Sequence, residues 1–133
     1  MLKIKYRSLK KYKYQLLEDY FHSCGCRYRY HLPFLTLDQH GILIKKGYCW
    51  DGPSGPTIDT KDFIFASLVH DVYYQLIRDG YFPASYKLDA DNALRDIMLS
   101  FIKKDDGRLV KTWKTFRANY IYFAVKIFGR FSL

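Results

Sequence analysis

The chain carries a histidine, two aspartates and a tyrosine at spacings that suit proton-transfer chemistry. His70, Asp71 and Tyr74 lie within one apolar stretch. If that stretch is helical, His70 and Tyr74 share a face, while Asp71 is turned by about 100° around the axis. Asp91 opens a second apolar-periodic stretch, and a carboxylate is the partner that fixes the tautomer of a working imidazole. The spacing therefore predicts a hydrolytic site with His70, Asp91 and Tyr74 as its catalytic group.

The same residues also suit a purely structural role. Phe63, Val69 and Tyr73 place a broad apolar surface on the first stretch, so His70 falls within or beside the face that packs into a core. A histidine in that position is often a core residue whose ring nitrogen is satisfied by a carboxylate such as Asp91. Both interpretations stay open at the level of sequence.

The elements that position these residues divide the chain into an alternating part and a helical part. Residues 3–46 alternate apolar and polar side chains, which is typical of half-exposed strands. Reversals at 23–26 and 38–41 favour an antiparallel meander that ends with the strand 42–46. We therefore predict an α+β fold in one domain, 1–133, with a small antiparallel sheet over 1–46, a rigid Gly/Pro loop over 47–62 and three helices over 63–133.

Start and stop signals bound the three helices. Thr60 suits the N-cap of the first helix and Gly80 its end, Ser85 suits the start of the second, and the third begins near Leu109. The third helix carries its large apolar residues largely on one side, which predicts that this side packs into the core. Docking of this helix on a membrane surface is the alternative. Its apolar residues are Trp113, Phe116, Tyr120, Phe123, Val125 and Ile127.

The potential site resembles the phospholipase A2 superfamily, in its compact viral version. In that superfamily a glycine-rich calcium loop leads into a helix bearing His-Asp-x-x-Tyr, and a second helix supplies an aspartate to the histidine. The likeness covers about residues 47–98. Most of the chain is also similar to an uncharacterised family of small tailed-phage proteins that share a Trp-Asp-Gly-x-Ser-Gly-Pro loop. The matching positions are His70, Asp71, Tyr74, Gly80, Ala90, Asp91 and the loop 50–56.

The resemblance implies a phage-encoded hydrolase of phospholipid acyl esters. It also implies a Ca²⁺ held by Asp71 together with loop oxygens of Tyr48, Trp50 and Gly52, since Ca²⁺ prefers oxygen ligands. Calcium would polarise the ester carbonyl. A non-catalytic phage accessory or virion protein is the first alternative function, and a basic nucleic-acid-binding module is the second.

Composition limits the partners and the compartment. The formal charge of +9 favours an anionic partner without choosing among phosphate backbones, acidic lipids and acidic proteins. The resemblance implies a phospholipid surface rather than nucleic acid. An odd number of cysteines, three, argues against a secreted disulfide framework. We find no signal peptide and no apolar run of about 20 residues, and therefore expect the host cytoplasm or the virion.

Overall fold

The computed structural model describes residues 4–8, 14–52 and 60–128, and it confirms the predicted α+β class. The chain forms two compact units, which we call the sheet unit (within Lys3–Gly55) and the helical unit (within Pro56–Leu133). Single-domain organisation over 1–133 stays a prediction. Residues 53–59 of the Gly/Pro loop lie outside the described residues, as do residues 9–13 of the predicted strands.

The sheet unit contains two antiparallel sheets rather than one meander. Strands β1 (Tyr6–Ser8), β2 (Tyr14–Leu16) and β7 (Cys49–Trp50) form the first sheet in the order β1-β2-β7. The second sheet has the order β3-β6-β5-β4, so that β3 pairs with β6 and not with its successor β4. Its strands are β3 (Tyr20–Ser23), β4 (Tyr30–His31), β5 (Leu35–Asp38) and β6 (Gly41–Ile44).

The predicted strand over 42–46 is present as β6, Gly41–Ile44, but it is not the last strand. The chain returns to the first sheet at β7, inside the segment predicted as a loop. The Leu16 N–H donates to the Tyr48 carbonyl at 2.8 Å, and the Gly47 N–H donates to the Leu16 carbonyl at 2.8 Å. Trp50 is buried and packs its ring against Tyr14, with 5.5 Å between centroids. Residues 49–50 therefore form a strand rather than part of a loop, and burial of the large Trp50 side chain stabilises that pairing.

The reversal between β5 and β6 follows the prediction. The Asp38 carboxylate accepts the backbone N–H of His40 at 2.7 Å and that of Gly41 at 3.3 Å, which is the local bonding that makes aspartate a turn residue. Alternate side chains of the two strands then fill the core of the sheet unit. The buried ones are Leu35, Leu37, Ile42 and Ile44.

Three helices form the helical unit, in which α2 packs against both α1 and α3. They are α1 (Lys61–Arg78), α2 (Lys87–Ser100) and α3 (Arg108–Phe128). Thr60 is the N-cap residue of α1, as predicted. Gly80, with φ +83°, follows the helix end and donates to the Ile77 carbonyl at 3.1 Å, an arrangement that glycine accepts without strain.

The starts of α2 and α3 lie close to the predicted positions. A 3₁₀ turn, Ala84–Tyr86, occupies the predicted start at Ser85, and the regular helix begins at Lys87. The core prediction for the aromatic residues of α3 is wrong, because most of them are exposed. Ala118, Ile121 and Tyr122 make the buried face of α3 instead. None of the described helices is long and apolar enough to cross a membrane.

Candidate functional site

His70 and Tyr74 lie side by side on the inward face of α1. They are four residues apart, which places them one above the other on a helix, and their ring centroids are 4.1 Å apart. His70 has only 8% of its surface exposed and Tyr74 has 5%. The apolar periodicity of α1 therefore turns the histidine inward, as the sequence predicted.

Asp91 is the centre of the polar group and is supplied by α2. Its Oδ1 accepts from His70, with Nε2 at 2.9 Å, and from the Tyr74 hydroxyl at 3.2 Å. Its Oδ2 accepts from the Lys87 ammonium at 2.6 Å. With 1% of its surface exposed, Asp91 meets three protein donors instead of water. The structure thus brings together all three residues that the sequence predicted to be catalytic.

The surrounding charges keep Asp91 ionised. Burial acts to raise the pKa of the Asp91 carboxyl, but the hydrogen bonds and positive charge from His70 and Lys87 outweigh it, so that the pKa is lowered. Burial also raises the pKa of the Tyr74 hydroxyl, and the charges of Asp91 and Asp71 raise it further. Tyr74 therefore stays protonated and serves as a hydrogen-bond donor.

These protonation states define which nitrogen of His70 is available for chemistry. An ionised carboxylate only accepts hydrogen bonds, so the proton of a neutral His70 ring lies on Nε2, the nitrogen that faces Asp91. Nδ1 then carries a lone pair. Within the described part of the chain, Nδ1 has no hydrogen-bond partner. Every fully buried side-chain nitrogen or oxygen in that part does have one. Nδ1 is accordingly not fully enclosed, and it is the ring nitrogen left for a water or a substrate.

Lys87 is the member of the group that the sequence analysis missed. Its ammonium also lies 3.4 Å from the carbonyl of Val125 and 3.2 Å from that of Lys126, so it joins α2 to the last turn of α3. Its spacing to Asp91, i and i+4 on one helix, was a signal available in the sequence. No sequence pattern reports its approach to α3, because that depends on how the helices pack.

The predicted calcium ligands are divided between the two units. Asp71 is half-buried on α1, whereas Tyr48, Trp50 and Gly52 belong to the sheet unit. The Tyr48 carbonyl already accepts a strand hydrogen bond. Gly52 is buried with φ +76°, and a Cβ there would lie 2.4 Å from the Tyr14 ring.

These contacts of Tyr48 and Gly52 are explained by ordinary strand packing, and they give no support to a calcium site formed by Asp71, Tyr48, Trp50 and Gly52. In the described ranges, no group of three or more His, Cys, Asp or Glu side chains is placed to hold a metal ion. The calcium site stays a prediction. Comparison with protein-family models, curated proteins and solved structures found no match to the chain.

Proposed function

We propose that the chain is a hydrolase of phospholipid acyl esters, encoded by a tailed phage, in which His70 is the general base. The observation that carries the proposal is the orientation of the imidazole. Its Nε2 is held by a buried, ionised Asp91, and its Nδ1 has no hydrogen-bond partner among the described residues. A base must be within reach of the proton that it removes, and an imidazole can both take and return a proton near neutral pH.

The chemistry assigned to the group needs one water and one ester. His70 Nδ1 takes a proton from the water as the water oxygen attacks the acyl carbon. The resulting imidazolium gives that proton to the departing alcohol oxygen, so that the ring returns to its first state. Asp91 accepts the Nε2–H throughout and stabilises the imidazolium, while Tyr74 and Lys87 hold Asp91 in place.

The substrate class comes from the resemblance of the His-Asp-x-x-Tyr pattern to the phospholipase A2 superfamily. The geometry adds support, because the aspartate partner does come from the following helix, as that pattern implies. Lys87 is not part of the His-Asp-x-x-Tyr and aspartate pattern on which the resemblance rests. By neutralising part of the charge of Asp91 it reduces the support that the carboxylate gives to the imidazolium.

The test is release of fatty acid from vesicles of phosphatidylglycerol and phosphatidylcholine. We expect turnover by the unaltered chain and a loss of roughly 100-fold or more in His70→Gln, the effect of removing a general base. His40→Gln is the matched control, since His40 is an exposed turn histidine of the sheet unit. Its rate should equal that of the unaltered chain.

Each assay is run with Ca²⁺ and with a chelator, and Asp71→Asn is included. Loss of activity in the chelator and in Asp71→Asn would support a calcium site that includes Asp71. Unchanged activity in both would exclude that calcium site. Absence of turnover by the folded, unaltered chain under either condition would refute the hydrolase proposal.

The Lys87 contacts favour a second candidate, a non-catalytic phage accessory or virion protein. In this function the buried polar residues stabilise the packing of the three helices. The Lys87 ammonium joins Asp91 on α2 to two carbonyls of α3, and Asp91 joins α2 to His70 of α1. All three helices would then be fixed by one polar network. Under this function, His70→Gln lowers the free energy of unfolding by about 1–3 kcal/mol and no variant shows turnover.

A further inference from the structure

An exposed row of large apolar residues runs the length of α3. Its members are between 47 and 86% exposed, although they are side chains that usually pack into cores. They recur at alternating intervals of four and three residues, which at about 100° per residue confines them to an arc of roughly 80°. We call this row the α3 stripe; it consists of Leu109, Trp113, Phe116, Tyr120, Phe123 and Ile127.

The opposite side of α3 already provides the contacts that hold the helix in its unit. Ala118, Ile121 and Tyr122 are buried there. Arg117 pairs with Asp62 at 2.8 Å, and Lys114 pairs with Asp106 at 2.7 Å. The α3 stripe is therefore a second apolar face of α3, and its side chains are exposed in the described part of the helical unit.

Charge indicates what covers the stripe. α3 contains five basic residues and no acidic residue. At about 100° per residue, Arg108 and Lys126 lie about 100° to one side of the centre of the stripe, and both are exposed. Basic side chains that flank an apolar face can extend to anionic headgroups while the face enters the boundary of the acyl chains. Tryptophan and tyrosine are the side chains enriched at that boundary.

We infer that the α3 stripe is a docking surface for an anionic phospholipid bilayer, with α3 lying flat along it. The stripe runs for about 27 Å, at about 1.5 Å per residue. A second copy of the chain fits less well, because pairing two such helices brings positive charges together without a carboxylate on either helix. The spacing of four and three residues is also that of a coiled-coil seam, but such seams are built mainly from Ile, Val and Leu, whereas four of the six stripe residues are aromatic. The inference is independent of hydrolysis, although docking would bring a hydrolase to its substrate.

The experiment is flotation of the full chain with phosphatidylglycerol-containing vesicles and with pure phosphatidylcholine vesicles. We expect binding to the anionic vesicles that weakens with added salt. Trp113 provides an internal reporter, since it is 61% exposed, whereas Trp50 is 2% exposed. Emission of the bound protein should shift to shorter wavelength.

The variant Phe116→Ser/Phe123→Ser should bind roughly tenfold or more weakly, because each removed ring gives up apolar area that the bilayer would bury. The matched control is Phe34→Ser/Leu88→Ser, which removes two other exposed large apolar side chains, 46% and 53% exposed. The control should bind like the unaltered chain. Circular dichroism of both variants confirms that they are folded.

Three results would overturn the inference. The first is absence of vesicle binding, or equal binding by the stripe variant and the control. The second is a dimer that the stripe variant converts to a monomer, without vesicle binding, which assigns the stripe to a second copy. The third is stripe-dependent binding of a single-stranded oligonucleotide without vesicle binding, which assigns it to nucleic acid. His70→Gln should bind vesicles normally, so docking can succeed even if hydrolysis fails.

Discussion

Replacing Lys87 by methionine tests whether the polar group is held by charge balance. Asp91 is almost completely buried, and the ammonium of Lys87 lies 2.6 Å from its Oδ2. Removing one partner of a buried ion pair costs about 3–5 kcal/mol, because the other charge is left without compensation. The Lys87 side chain is 18% exposed and the Tyr74 and His70 hydrogen bonds remain, so we expect the lower end of that range, about 3 kcal/mol.

Urea unfolding followed by far-ultraviolet circular dichroism at about pH 7 measures this loss. Asp91→Asn should cost less, about 2 kcal/mol, because Lys87 keeps the two α3 carbonyls as acceptors. The double variant should cost about 3 kcal/mol, which is less than the sum of the single variants, because the two side chains interact directly. Lys104→Met is the control, since Lys104 is exposed and forms no ion pair with any residue that the structure describes. Strict additivity, or a loss below about 0.5 kcal/mol in Lys87→Met, would refute the charge-balance argument.

Two further predictions concern acid stability and a close backbone approach. The pKa of Asp91 is lower in the folded chain than the ordinary value of 3.8, so its contribution is fully present above that value and is lost as the pH falls through the folded pKa. Acid titration by circular dichroism should show a shallower loss of stability in Asp91→Asn, and an identical slope would contradict the assignment. Gly52→Ala should cost about 2 kcal/mol or more, because its φ is +76° and the added Cβ would lie 2.4 Å from the Tyr14 ring. Gly25→Ala, where nothing lies within 4 Å, should be close to neutral in the same urea titration.

Local signals predicted the helices and the core of the site well. Thr60 and Gly80 border α1 at the predicted positions. The Thr60 hydroxyl makes no capping hydrogen bond, and the Asp62 carboxylate accepts the Phe63 N–H instead. Gly80 takes the positive φ that is common just past a helix end. His70 and Tyr74 share a face because helical periodicity places them there. The pairing of His70 with Asp91 was also predicted, since it needs only that α1 and α2 pack with their inward faces together.

Features that depend on packing between distant segments were missed. Trp50 pairs in register with Tyr14, 36 positions earlier in the sequence, and no periodicity within residues 47–62 indicates that partner. Likewise, the apolar side of α3 was predicted to be the core side because it carries the largest side chains. The smaller Ala118 occupies a fully buried position instead. Amphipathic periodicity identifies an apolar face but cannot tell whether that face is covered by its own chain.

The contact of Lys87 with the last turn of α3 has a consequence for local unfolding. The last four carbonyls of a helix lack partners within it, and helix ends ordinarily fray at little cost. Here the ammonium that approaches the carbonyls of Val125 and Lys126 is the same one that neutralises Asp91. Fraying of that turn therefore removes two acceptors from a cation next to a buried carboxylate. The end of α3 and the charge balance around Asp91 become one cooperative element, so opening either weakens the other.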